Sequence, residues 1–299
     1  MKYMMTHQAN TGSPHAAIVI AMVLLVSSIV RAESAGAAAI QAECEKLAEK
    51  WRPRFEQEKL SLIIAPPFVV AGDGSIERLR RYCDGTILPA MRALDAMYFD
   101  TPPSEPILVL LFETELPYRR LAREWFGDEE VSPFGYFRRD NVMLMNVGTG
   151  TGTLVHELVH ALIRYDFADV PLWFNEGLGS LYEQCRFEGE AIVGLENWRL
   201  PALQRAIRQG KLRPLREMIE DRRFGRGELV GLNYAQARYL LMYLQEKGLL
   251  RPYYAAFRAS AADDPSGVQT LIKLIEPATL ETFESQWRQW VLALHYPSR

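Results

Sequence analysis

Two histidines four residues apart, with an acid between them, mark the run His156-Glu157-Leu158-Val159-His160. On an α-helix the i and i+4 positions share a face, so His156 and His160 can aim at one point about one turn apart. Neutral imidazoles placed that way are ligands for a divalent cation, above all Zn²⁺. Glu157 lies one residue beyond the first histidine, where a carboxylate reaches a water on the ion rather than the ion and can accept its proton. The chemistry implied is hydrolysis. At ordinary residue frequencies such a pentapeptide arises by chance in roughly one chain of this length in a hundred. Its setting also suits a half-buried helix: Leu154, Leu158, Ala161 and Leu162 make the apolar stripe, leaving the histidines and Glu157 on the adjoining face.

Catalytic zinc usually has three protein ligands and a water, so a third ligand is required. A metzincin would place Gly at 163 and His at 166, but the chain has Ile163 and Asp166. Beyond residue 32 the only other histidine is His295, and the third ligand is therefore expected to be a carboxylate. Sixteen residues past His160, Trp173-Phe174-Asn175-Glu176-Gly177-Leu178-Gly179 opens a second helix after Pro171, with a loop long enough to carry it back across the first. Glu176 is the expected ligand, with Asp166 the runner-up, since either acid can bind zinc.

Together the two motifs resemble the gluzincins, the zinc peptidase group that includes thermolysin and the alanyl aminopeptidase and leukotriene hydrolase family. The second is similar to the latter family's W-L-N-E-G-F-A-x-Y-x-E. The resemblance implies one Zn²⁺ held by His156, His160 and Glu176, Glu157 as base, and Asn175 and Glu183 supporting the site from behind. Glu183, two turns beyond Glu176 on the same face, could accept the second N–H of a ligand histidine. Asn233-Tyr234-Ala235-Gln236-Ala237 resembles the Y-x-x-G segment of the aminopeptidases, whose tyrosine hydrogen-bonds the developing oxyanion; Tyr234 is the matching position and Ala237 replaces the glycine. A tetrahedral intermediate needs such a donor, and no spare histidine is present to serve. Tyr239 and Tyr243 read as core. The resemblance spans Phe134 to Leu244 and is concentrated in the two zinc motifs. The aminopeptidases' G-x-M-E-N strand has no counterpart acid in Asn141–Asn146, so the likeness does not extend to exopeptidase specificity; the smaller peptidase-like gluzincins of bacterial secreted proteins are closer overall. The expected activity is that of a zinc metallopeptidase acting on a peptide or protein. The rival is a zinc-stabilised binding or assembly module without turnover, whose usual mark would be a lost base, and Glu157 is present.

Residues 1–32 read as a secretory signal: Lys2, fifteen uncharged and mostly apolar residues from Ala16 to Val30, then a small-residue cleavage site ending at Ala32. Fifteen is short of the roughly 20 that span a bilayer; an uncleaved N-terminal anchor is the alternative, and the only route to a membrane location. The expected location is secreted or periplasmic. That segment holds Lys2 and Arg31 and no acid, so the remaining 267 residues carry 32 basic against 37 acidic side chains, a net charge of −5. Such a balance argues against nucleic acid and anionic membrane surfaces as partners. Cys44, Cys83 and Cys185 are too scattered to be a metal framework; a Cys44 to Cys83 bridge and three free thiols are both open.

These residues need elements to position them. Glu33 to about Glu58 predicts a helix, with Leu47, Trp51 and Phe55 at helical spacing. At least one strand is expected beside Pro66-Pro67, a helix from Ser75 to about Phe99, a buried strand at Ile107–Phe112 and a short helix from Leu116 to Phe126. Phe134–Phe137 and Val142–Val147 read as a hairpin leading into the histidine helix. Its strand Val142, Met143, Leu144, Met145, Asn146 is the expected substrate-binding strand, offering backbone groups to an extended peptide. Gly148-Thr149-Gly150-Thr151-Gly152-Thr153 is no phosphate loop, because no Lys follows and the glycine spacing is wrong. Beyond it the pattern is almost wholly helical: Leu172 to about Phe187, Leu200–Arg208, Leu215–Asp221, Asn233–Lys247, Arg251–Ala261, Val268–Ile275 and Leu280–Leu294. The expected fold is α+β: an α/β half, residues 33–165, with a mixed sheet and the histidine helix, then an all-α half, residues 166–299, carrying the third ligand. The resemblance implies the thermolysin-like zincin form of it.

Overall fold

The structure is a computed structural model that describes the backbone of residues 14–296 and the side chains of residues 36–296. Residues 1–13 of the expected signal segment, and the side chains of the rest of it, lie outside the described residues. Among those described, no helix is long and apolar enough to cross a membrane.

Helix α1 (Pro14–Gln57) leads into the antiparallel hairpin of β1 (Ser61–Ala65) and β2 (Phe68–Gly72), so both apolar runs beside Pro66-Pro67 are strands. Next comes a helical segment made of α2 (Ile76–Tyr82), a π-turn at Cys83–Ile87 and α3 (Leu88–Met97). Strand β3 (Ile107–Phe112), helix α4 (Glu115–Phe126), the hairpin of β4 (Gly135–Phe137) and β5 (Val142–Asn146), and helix α5 (Gly152–Asp166) complete this half. α4 stops at Gly127, whose φ of 72° closes the helix in a conformation that side chains disfavour.

The five strands form one mixed sheet in the order β1-β2-β3-β5-β4, parallel at its centre and flanked by antiparallel β1 and β4. The central strands are buried on both faces, as their unbroken apolar runs require. Val69, Leu108, Leu110 and Leu144 face α1 and α4, where Trp51 and Phe55 pack against Trp125. Val70, Val109, Leu111, Met143 and Met145 face α3 and α5. That second core continues without a break across residues 165 and 166 into the C-terminal helices, so the two halves share it. Cys44 belongs to the first core and Cys83 to the second, with the sheet between them; the bridge does not form, and all three thiols are free. Burial pushes each thiol up to about 11, where it stays protonated and unreactive.

The C-terminal half contains α6 (Leu172–Tyr182), β6 (Cys185–Glu188), β7 (Ala191–Gly194), α7 (Leu200–Arg208), α8 (Leu215–Ile219), α9 (Val230–Glu246), α10 (Leu250–Ser260), α11 (Val268–Leu274) and α12 (Leu280–Ala293). One expectation fails here. The helix expected to reach Phe187 ends at Tyr182, and Phe187 lies in the β6–β7 hairpin, which turns at Gly189 with φ 61°. Strands of four residues are too short for alternation to be told from helical spacing.

Candidate metal centre

Helix α5 lies on the sheet with Leu154, Leu158, Ala161 and Leu162 buried, and this pins the opposite histidine face toward α6. α6 starts at Pro171, whose extended backbone (ψ 150°) turns the chain into the helix. It is clamped between α5 and α9. Gly177 allows the approach to α9: a Cβ there would sit 3.2 Å from the Ala237 Cβ. Gly179 does the same toward α5, since a Cβ on it would lie 3.0 Å from His156 Nε2. The small residue therefore lets the imidazole lie against the helix backbone.

One ligand atom each from His156, His160 and Glu176 falls within 4.8 Å of the others. Glu176 Oε2 is 3.2 Å from His156 Nε2 and 3.5 Å from His160 Nε2, so both Nε2 atoms converge on one carboxylate oxygen. The far side of each ring is occupied. His160 Nδ1 lies 2.8 Å from Asn175 Oδ1, an amide oxygen that accepts the ring N–H. His156 Nδ1 lies 3.2 Å from Glu183 Oε1, though without the alignment of a hydrogen bond. Acceptors behind both rings favour the tautomer with a bare Nε2, the form in which an imidazole ligates.

The charges follow from this packing. Burial works against a proton on His156, but Glu176, Glu183 and Glu157 outweigh it and hold the ring up at about 10. Burial likewise pushes the Glu176 carboxyl up, and the two imidazoles more than reverse it, holding it well below the usual carboxylate range. A cluster with two acids around a ring suits a cation, and a bound metal would take the proton's place. Glu157 is buried on α5, and among the described residues no ion pair or hydrogen bond takes up its carboxylate.

No family model matches the chain, and no curated protein matches it by sequence.

The other expected site residues are placed as follows. Tyr234 on α9 stacks on Phe224, with ring centroids 5.5 Å apart; burial and the nearby Glu176 raise its hydroxyl pKa, so it remains a proton-bearing donor beside the cluster. Tyr239 is fully buried and turned away, accepting the Asn197 N–H at 3.0 Å. Asp166 stands outside the cluster. Its fully buried side chain accepts the N–H groups of Asp100 and Thr101 at 2.9 Å each and the Tyr254 hydroxyl at 2.6 Å, and it pairs with Arg258.

The substrate-strand expectation for Val142–Asn146 is corrected. β5 is buried and paired on both sides, with β3 and with β4, so it has no backbone groups to offer. The edge of the sheet on this side is β4. There Phe134 O accepts from Asn146, and Arg138 donates to Val142. By the alternation of an antiparallel ladder, the backbone groups of Phe134, Tyr136 and Arg138 face β5, while those of buried Gly135 and half-buried Phe137 point away from it. The start of this edge borders a cavity of about 720 Å³ walled by Phe134, Trp198, Arg199, Glu183 and Val155. It touches Glu183 but stops short of the three clustered side chains.

Two residues with no sequence signal complete the centre. Arg238 on α9 is fully buried and donates to the carbonyls of Ser180 at 2.9 Å and Leu181 at 3.4 Å at the end of α6, and to that of Leu195. Burial lowers it to about 10, still charged at neutral pH, and it satisfies the helix-end acceptors behind Glu183. Arg199, in the loop before α7, pairs with Glu183.

Proposed function

We propose that the chain is a zinc-dependent peptidase of gluzincin type. One observation carries the reading: two i, i+4 imidazoles and a carboxylate from a second helix converge through Nε2, Nε2 and Oε2, with an unpaired acid next to the first histidine. Two nitrogen donors and one carboxylate suit Zn²⁺ and leave a fourth position open. The antiparallel edge strand β4, followed by β5 and the histidine helix, and the third ligand on the next helix, support a thermolysin-like arrangement.

When bound, zinc would supply a Lewis acid at the scissile carbonyl and make water a nucleophile at neutral pH. The chain's own residues would do the rest. Asn175 and Glu183 orient the imidazoles. Glu157 accepts the proton of the attacking water and returns it to the leaving amine. Tyr234 donates its hydroxyl to the developing oxyanion. The outer edge of β4 around half-buried Phe137 is the place for an extended peptide to add as a further strand. The N-terminal segment fits an exported protein, cleaved after Ala32, and N-terminal sequencing of the mature chain tests that part by itself.

The test is metal analysis of the purified chain together with a peptide-library digest. Zinc near one equivalent and cleavage that vanishes in Glu157→Gln, with zinc retained, are expected. Zinc-loaded wild-type protein that cleaves nothing would leave a zinc-stabilised module in place of an enzyme.

A further inference from the structure

Glu183 faces His156, yet their contact has the distance of a hydrogen bond without its alignment, so it cannot by itself hold the carboxylate in place. Other partners do that. Glu183 Oε1, the same oxygen that approaches His156 Nδ1, accepts from Arg199 Nη2 at 2.8 Å, and Oε2 lies 3.4 Å from Asn197 Nδ2. The Arg199 side chain is 13% exposed and that of Glu183 17%, so this is no solvated surface pair of negligible worth.

The loop carrying Arg199 is itself fixed from the core. Asn197 is buried, its N–H donates to Tyr239 Oη, and its Oδ1 accepts the Arg199 N–H at 3.0 Å. The guanidinium lies over the Trp198 ring, 4.0 Å from its centroid, and 5.7 Å from the centroid of Tyr234. A planar fork stacked in this way has little freedom left.

We propose that Arg199 is a positioning residue of the metal centre: it locks Glu183 behind His156, so that the ring presents Nε2 to the ion. The proposal rests on the metal-binding reading above. It also gives Arg199 a reason to stand beside Glu183 at the cavity wall that the two residues share. Outer partners of ligand histidines typically contribute 10- to 100-fold in metal affinity. Arg199, one step further out, should contribute about tenfold.

The experiment measures Zn²⁺ affinity of the full chain by competition with a chromophoric chelator, alongside the melting temperature of the metal-free protein. Arg199→Met should weaken zinc about tenfold with little change in metal-free melting, and Arg199→Lys should recover most of the loss. Glu183→Gln combined with Arg199→Met should bind no worse than Glu183→Gln alone, because Arg199 acts only through that carboxylate. If Arg199→Met does not fold, Arg199→Gln takes its place in both comparisons. Affinity of Arg199→Met within about twofold of the parent, or losses that multiply in the double variant, overturns the assignment. A parent chain that takes up no zinc overturns the metal reading, and this one with it.

Discussion

Exchanging the two candidate acids, Glu176 and Asp166, for their amides separates metal binding from folding. Asp166→Asn keeps the shape of a fully buried side chain whose Oδ1 accepts two backbone N–H groups and whose Oδ2 takes the Tyr254 hydroxyl and Arg258. An amide can keep only one of these sides. Its NH₂ then confronts two donors, each left unsatisfied at about 1–3 kcal/mol, so the loss should be roughly 2–5 kcal/mol. For a chain of this size that is on the order of 10 °C in melting temperature. Zinc affinity should be unchanged. Glu176→Gln should act on the metal: without the shared carboxylate the two imidazoles are left as a two-ligand site, and affinity should fall at least 100-fold, while the metal-free protein also loses the pairing of Glu176 with protonated His156. Thermal melting of the metal-free proteins and chelator competition give the two readouts. Loss of zinc in Asp166→Asn, with retention in Glu176→Gln, would refute the ligand set. The same aspartate sets a pH dependence. Its donors, led against burial by Tyr254 and Arg258, lower its folded pKa, so its stabilisation is present above the unfolded value near 4 and is lost as pH falls through the folded one.

Three further outcomes are expected. Tyr234→Phe should lower kcat by about 10²- to 10³-fold with KM little changed, whereas Tyr239→Phe should show up as lost stability, since its hydroxyl holds Asn197; equal kcat in Tyr234→Phe and the parent would return that tyrosine to the core. Zinc must displace the proton that the carboxylates hold on His156 up to about 10, so affinity should rise about tenfold per pH unit between roughly pH 6 and 8. In the metal-free protein that same proton is stabilising, fully so below about 6.5 and progressively less as pH rises through about 10; a flat affinity profile in chelator competition would contradict the arrangement. Arg238→Met should cost about 2–4 kcal/mol in denaturant melts, because it orphans carbonyls at the end of α6 in a dry interior while relieving the burial of a cation.

What the sequence determined by itself is local. The i, i+4 spacing of His156 and His160 puts both rings on one helix face whatever surrounds it, and Glu157 follows from the same geometry. Unbroken apolar runs such as Ile107–Phe112 marked buried strands, and Leu47, Trp51 and Phe55 marked the packed face of α1, because burial on two faces or one stripe leaves a pattern within a few residues. The choice of Glu176 over Asp166 was only partly legible: both acids are near enough in sequence, and what separates them is that Asp100, Thr101, Tyr254 and Arg258, up to 92 residues away, surround the second. The strand pairing was not legible. Val142–Asn146 carries the same apolar pattern whether it is an edge or lies between β3 and β4, since pairing is made by chain segments distant in sequence, and only the assembled sheet puts β4 rather than β5 at the edge. Arg199 and Arg238 were silent for the same reason: a lone arginine in a loop or helix looks like a solvated one until tertiary packing removes the water and supplies the carboxylate or carbonyls it must satisfy.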